Sequence, residues 1–180
     1  MRELPLARKM GQRDRMTQAD APPFSHMLDR QSLDRPTSLS LSVEAPACAA
    51  IAAAFGLLDI AALSGRFEFI PHKAGQILTR LDLSARVTHR CIVTLEPVEQ
   101  VIEERAALIL ADASLPEPDD WLDLDAPDWV PVSGAEIDVG KLLTDQLALA
   151  LDPYPRKADA TLPDAAQEAL ENPFARLKRD

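Results

Sequence analysis

Glycine is scarce in this chain of 180 residues, six in all, and the scarcity removes the phosphate-cradling loops at once. No GxGxxG, no P-loop pattern and no GxSxG occurs, so the enzymes most easily read from a sequence are excluded. The two cysteines, Cys48 and Cys91, supply neither a disulfide framework nor a four-ligand zinc site, and they suit a reducing compartment. Aromatic residues make up 4% of the chain, which leaves few rings for stacking bases. No apolar run approaches the ~20 residues that span a bilayer. The N-terminal residues have no apolar run long enough for a signal peptide. The composition therefore predicts a cytoplasmic protein with no membrane partner.

Hydrophobic residues at 47% and charged residues at 27% describe a globular protein. At this length one domain buries roughly 70% of the surface its unfolded chain exposes. The formal net charge is −10, and it has an address. Residues 96–128 hold eleven acids against one base, Arg105, so that strip carries the whole excess and the rest is neutral. A chain of this kind does not coat nucleic acid indiscriminately, because phosphate contacts need Lys and Arg, and no DNA partner is expected. Residues 1–22 run the other way, with Arg2, Arg8, Lys9, Arg13 and Arg15 against Glu3, Asp14 and Asp20. Low hydrophobicity and the Ala21-Pro22-Pro23 stop make them a disordered basic extension. Residues 23–157 are expected to form one domain, and 158–180 a tail with a weak helix near 164–170, anchored by Phe174 and Leu177.

Alternation then places the elements. Residues 37–43 alternate Leu39, Leu41 and Val43 with serines, the period of a half-buried strand. The Ala-rich 45–57, with Pro46 in its first turn and Gly56 at its end, reads as a short helix. In 61–70 the residues Ala61, Leu63, Gly65, Phe67 and Phe69 share the core phase. In 77–95 it is Leu81, Leu83, Ala85, Val87, His89, Cys91, Val93 and Leu95. A hairpin at 72–75, with Gly75 free to take positive φ, makes the two antiparallel. Val98, Ile102, Ala106, Leu108 and Leu110 mark a third strand beginning after Pro97. Residues 112–128 hold seven acids and three prolines and cannot be regular along their length, while 128–132 form a short edge strand. Asp138 caps the strongest helix, with Val139, Leu142, Leu143, Leu147 and Ala150 near one face, a Lys141–Asp145 pair, and a stop at Pro153 and Pro155. The expected fold is α+β: a curved, mainly antiparallel sheet with one or two packed helices.

Candidate chemistry is thin. His89 and Cys91, two apart in a strand, point to the same apolar face, which favours a buried structural pair over a nucleophilic dyad. Cys48 lies among alanines as packing material. The run Asp119, Asp120, Asp123, Asp125, Asp128 lacks the central glycine and final glutamate of a calcium loop. No catalytic residue, cofactor or metal ligand is assigned. Trp121 and Trp129 sit inside the acidic sequence, and aromatics among carboxylates suit a surface that holds a basic, partly apolar partner. Covering the open sheet is the other use for those rings.

Three stretches carry a resemblance: VTHRCIVTLEPVEQVIEE at 87–104, IDVGKLLTDQLALALDPYPRK at 137–157 and NPFARLK at 172–178. Together they resemble the YceD family, the large ribosomal RNA subunit accumulation proteins, in its alphaproteobacterial form, over about residues 24–178. The residues that match are Arg90, Cys91, Thr94, Glu96 and Pro97, then Asp138, Leu147, Asp152, Pro153, Tyr154 and Pro155. Many relatives carry CxRC where this chain reads Thr88-His89-Arg90-Cys91, so the first cysteine is replaced. The resemblance implies a role in producing or accumulating large-subunit (23S) ribosomal RNA and implies no known reaction.

On this reading the protein is a non-enzymatic ribosome biogenesis factor. Its acidic strip, with Trp121, Trp129, Asp119, Asp120, Asp123 and Asp125, engages a basic large-subunit ribosomal protein. Direct binding of precursor rRNA by the sheet's outer face, through Arg66, Arg86 and Arg90, is the alternative. A metal-dependent hydrolase built on Asp120 and Asp123 comes last, because its carboxylates lie in one Pro-broken loop.

Overall fold

The computed structural model describes residues 22–115 and 126–161. The extension at 1–21, Trp121 with Asp119, Asp120, Asp123 and Asp125, and the tail from 162 onward lie outside the described residues. The architecture is α+β. A five-stranded open sheet runs in the order β2 (Thr37–Ser42), β3 (Asp59–Pro71), β4 (Ile77–Arg90), β5 (Pro97–Asp112) and β6 (Asp128–Val132). All neighbours are antiparallel except β5 and β6, which are parallel. A second, two-stranded sheet pairs β1 (Met27–Asp29) with β7 (Glu136–Asp138).

One face of the large sheet is buried by two helices, α1 (Ala45–Phe55) and α2 (Val139–Ala150). Helix α1 places Cys48, Ile51 and Ala52 in the core and ends where Gly56 turns left-handed at φ +68. Leu57 N–H then bonds Ala52 O at 2.9 Å, which satisfies a carbonyl the helix leaves open. Helix α2 crosses β3 so closely that a Cβ on Gly65 would sit 2.6 Å from Leu143 Cδ1. Between the layers Phe67 and Phe69 lie stacked, 5.7 Å apart, among Leu63, Leu81, Leu108 and Leu143. The Thr79 hydroxyl is buried there without a hydrogen-bond partner among the described residues.

The period-two expectation holds along β4 from Leu81 to His89, and on β5 it places Ile102, Leu108 and Leu110 in the core and Ala106 half-buried, while Glu104 in the same phase is exposed. It fails in two places. Ala61 is exposed and Ile60 is buried, because a register shift between Ile60 and Ala62 against β4 reverses the phase at the start of β3. Strand β4 stops at Arg90 rather than running to 95, and Leu95 is 62% exposed with φ +62. That residue sits in the reversal that returns the chain to Pro97, so turn geometry overrides its hydrophobic phase. The other face of the sheet carries alternating charge, with Arg105 Nε 3.4 Å from Asp82 and Arg80 4.0 Å from Glu68. At its far end Ile70, Leu78, Ile109 and Trp129 align in one row across four strands.

Asp138 ties the layers together. Its carboxylate accepts from Lys141 N–H at 3.0 Å as the cap of α2, from His26 N–H at 2.9 Å and from Ser25 Oγ at 2.7 Å. A Cβ on the adjacent Gly140 would meet His26 N at 2.6 Å, so the N-terminal segment lies directly against the helix start. Burial opposes the charge on Asp138, yet donors from Lys141, Ser25, His26 and Gly140 outweigh it and hold the carboxyl below the ordinary range. Asp138→Ala is expected to cost about 1 kcal/mol of stability in urea denaturation and to speed amide exchange at residues 25–29. An unchanged midpoint with unchanged exchange would contradict this role.

Candidate functional site

Two of the three singled-out stretches, about 50 residues apart in sequence, meet at one end of the large sheet. The first is the turn between β4 and β5. Cys91 N–H bonds Glu96 O at 2.7 Å and Leu95 N–H bonds Cys91 O at 2.9 Å, which closes residues 91–96 into a compact loop. The second is the segment after α2, where Asp152 Oδ1 accepts from Tyr154 N–H at 2.8 Å and two prolines keep the backbone from continuing the helix.

The junction has three kinds of contact. Ile92 N–H donates to Pro155 O at 3.0 Å, and Pro155 is buried. Lys157 Nζ lies 2.7 Å from Glu96 Oε2. Gln100, on the core face of β5, bridges the rest: its Nε2 donates to Ala150 O at 3.2 Å and its Oε1 accepts from Asp152 N–H at 3.2 Å. The same Oε1 is 2.6 Å from His89 Nε2. That ring nitrogen must carry the proton, since an amide oxygen only accepts. Composition gave no reason to single out Gln100. Its signal was positional, a polar residue in the core phase of a strand.

Cys91 is fully buried under this joint. The Thr94 hydroxyl and then the Thr94 N–H, 3.4 Å from Sγ, lower its thiol to about 6, against the effect of burial and with help from the Lys157 and Val93 N–H groups. The Thr94 hydroxyl has one hydrogen and two acceptors, since Glu96 Oε2 is 3.3 Å away. Glu96 is itself held below the usual carboxylate range, first by its bond to Lys157, and Lys157 is raised in turn. Thr88, where many relatives are expected to carry a cysteine, pairs with Glu99 in the phase of β4 that points away from the core, opposite to Cys91. The arrangement fastens two segments with a buried sulfur and a surface ion pair. Among the described residues no group of three or more His, Cys, Asp or Glu side chains could hold a metal ion.

The remaining sequence-marked residues are dispersed. Arg90 and Arg86 are exposed on the open face of β4, and no ion pair engages either among the described residues. Trp129 is half-buried in the row with Ile109 on that same face. Leu147 is buried in α2, and Tyr154 is 69% exposed. Among the described residues the acids of 96–128 do not share one surface. Glu96 is bound to Lys157, Asp112 is held by Ser114 and Arg30, and β5 sends Glu99 and Glu103 to one side and Glu104 to the other.

These features define a small α+β protein whose distinctive residues join segments of its own chain. It belongs to the YceD family, described as large ribosomal RNA subunit accumulation protein, whose match covers residues 79–178. The match begins in β4, so both joined stretches fall inside it, whereas β1 to β3 and α1 precede it. No curated protein and no solved structure matches the chain. Among the described residues no helix is long and apolar enough to cross a membrane.

The buried sulfur gives a pH signature. A thiol whose pKa falls from about 8.5 unfolded to about 6 folded adds stability that is present above pH 8.5 and lost as pH falls through 6. The melting temperature of the wild type is expected to rise across that window more than that of Cys91→Ala. Parallel curves for the two proteins would refute the assignment.

Proposed function

We propose that the protein is a non-enzymatic factor in the cytoplasm that supports accumulation of large-subunit (23S) ribosomal RNA by binding a basic large-subunit component, most simply a ribosomal protein. Family membership supports the ribosomal role. The observation that carries the choice of partner is the exposed carboxylate group of β5. Glu99 and Glu103 are exposed on the open face and Glu104 on the other, all along one edge, and the one base among them, Arg105, lies 3.4 Å from Asp82. A Lys/Arg-rich ribosomal protein meeting such a surface gains a steered encounter and protection from non-specific RNA. In this reading Trp121, Trp129, Asp119, Asp120, Asp123 and Asp125 take part in holding that partner.

A second reading rests on Arg86 and Arg90. They are four residues apart on one strand face, about 13 Å, and could reach separate phosphates of one RNA strand. It is the weaker reading because that face also carries Glu68, Asp82, Glu99 and Glu103 beside Arg66, Arg80 and Arg105, so its charge is nearly balanced and attracts phosphate little.

One experiment separates the two: recovery of tagged full-length protein from cells at low and moderate salt, with and without Arg86→Ala and Arg90→Ala together. Large-subunit proteins are expected with both forms, more weakly as salt rises. Precursor rRNA recovered only with the wild type would favour the second reading. Recovery of no large-subunit protein would contradict the proposal.

A further inference from the structure

Strand β5 is 16 residues long, but its outer neighbour β6 pairs only with Leu108 to Asp112. Residues 98–106 therefore have β4 on one side and, among the described residues, no backbone partner on the other. That is about 30 Å of open edge. Every second N–H and C=O along it points outward, which is the template an added strand requires.

The surroundings say what such a strand would be. A cleft of about 540 Å³ opens beside the edge, lined by Glu104, Ala107, Asp128, Gln146 and Leu149. Arg105 and Ala106 line it as well. Four consecutive residues of β5 therefore border it, and consecutive residues alternate faces, so the cleft opens on the edge itself. Leu149 is 75% exposed there, and Val101, midway along the edge on the open face, is 65% exposed. Around these apolar points stand Glu99, Glu103, Glu104 and Asp128 against one base, Arg105, which lies 3.4 Å from Asp82. A second copy of this chain pairing edge to edge would bring like carboxylates together, which is destabilising. RNA would place phosphates against the same charges. An extended peptide alternating Lys or Arg, toward Glu99 and Glu103, with aliphatic residues, toward Leu149, satisfies the backbone, the charge and the helix-side apolar point together.

We propose that residues 98–106 of β5 form a docking edge that takes an extended, Lys/Arg-rich peptide segment as an additional strand. The inference rests on the reading above that the partner is basic, and it specifies where and in what conformation that partner binds. Main-chain pairing supplies affinity and the carboxylates select the charge. The edge charges that deter self-association thereby admit a basic partner.

The test uses the full-length protein and a fluorescent ten-residue peptide alternating Lys and Val. Its control is the same peptide N-methylated at every second residue, which keeps the charge but removes the donors of one edge. The unmodified peptide is expected to bind at least about tenfold more tightly than the methylated one, since the loss of even one or two of the edge's hydrogen bonds amounts to that factor. It is also expected to slow amide exchange within 98–106. Glu99→Lys with Glu103→Lys is expected to weaken it further, since both side chains are exposed. Equal binding of the two peptides, protection elsewhere, or protection of 98–106 by self-association without peptide would overturn the inference. If large-subunit proteins are recovered from cells while the peptide leaves 98–106 unprotected, the functional proposal stands and the edge does not.

Discussion

The pairing of β4 with β5 is the constraint on which the rest of the molecule depends. It runs without a register break from Ile77 opposite Leu110 to Arg90 opposite Pro97. A slip of one residue would turn Leu81, Leu83, Ala85 and Val87 into water and bring Arg80, Asp82 and Arg86 beneath the helices, so the register is fixed by burial. Because the ladder is long, it reaches past its helical cover at one end and past its sheet partner at the other side. At the end, the turn at 91–96 must be held by something other than the core. At the side, β5 continues beyond the reach of β6.

The first need is met by the segment that leaves α2. Gln100 accepts and donates where the helix stops, Pro155 accepts the Ile92 N–H, and Glu96 pairs with Lys157. The residues that mark the family resemblance at Cys91, Thr94, Glu96 and Pro155 are thus the fastening of this joint. Exposed ion pairs contribute little by themselves, so the buried backbone bond and the enclosed sulfur set its strength. What the joint leaves on the surface is Ile92, Leu95 and Tyr154, all exposed.

Much of this was legible in the sequence, for reasons that differ by element. The hairpin and its two long strands were readable because half-buried strands impose a strict alternation, and α2 because Asp138, the apolar spacing and the double proline mark its start, face and stop. Residues 27–29 and 136–138 escaped notice because three-residue strands hold too little alternation to stand out. Ala61 and Leu95 were misplaced because a bulge and a left-handed turn change phase without changing composition. The acidic strip looked like one surface because counting charge along a chain ignores the alternation of β5 and the partners Lys157 and Arg30 supplied from afar. Trp129 could be placed on a strand but not on a face, since its face is set by its pairing with Ile109 in a parallel neighbour. The junction through Gln100 could not be found from either stretch alone, because its partners are fifty residues away.

The central claim is that, among the described residues, the long ladder leaves β5 paired on one side only at residues 98–106 and on both sides from Leu108 onward. Residue-resolved amide hydrogen exchange by NMR on the full-length protein tests it most directly. The account predicts slow and fast amides in alternation along 98–106, giving way to protection on both sides within 108–112. Uniform slow exchange across 98–106 in the protein alone would contradict it.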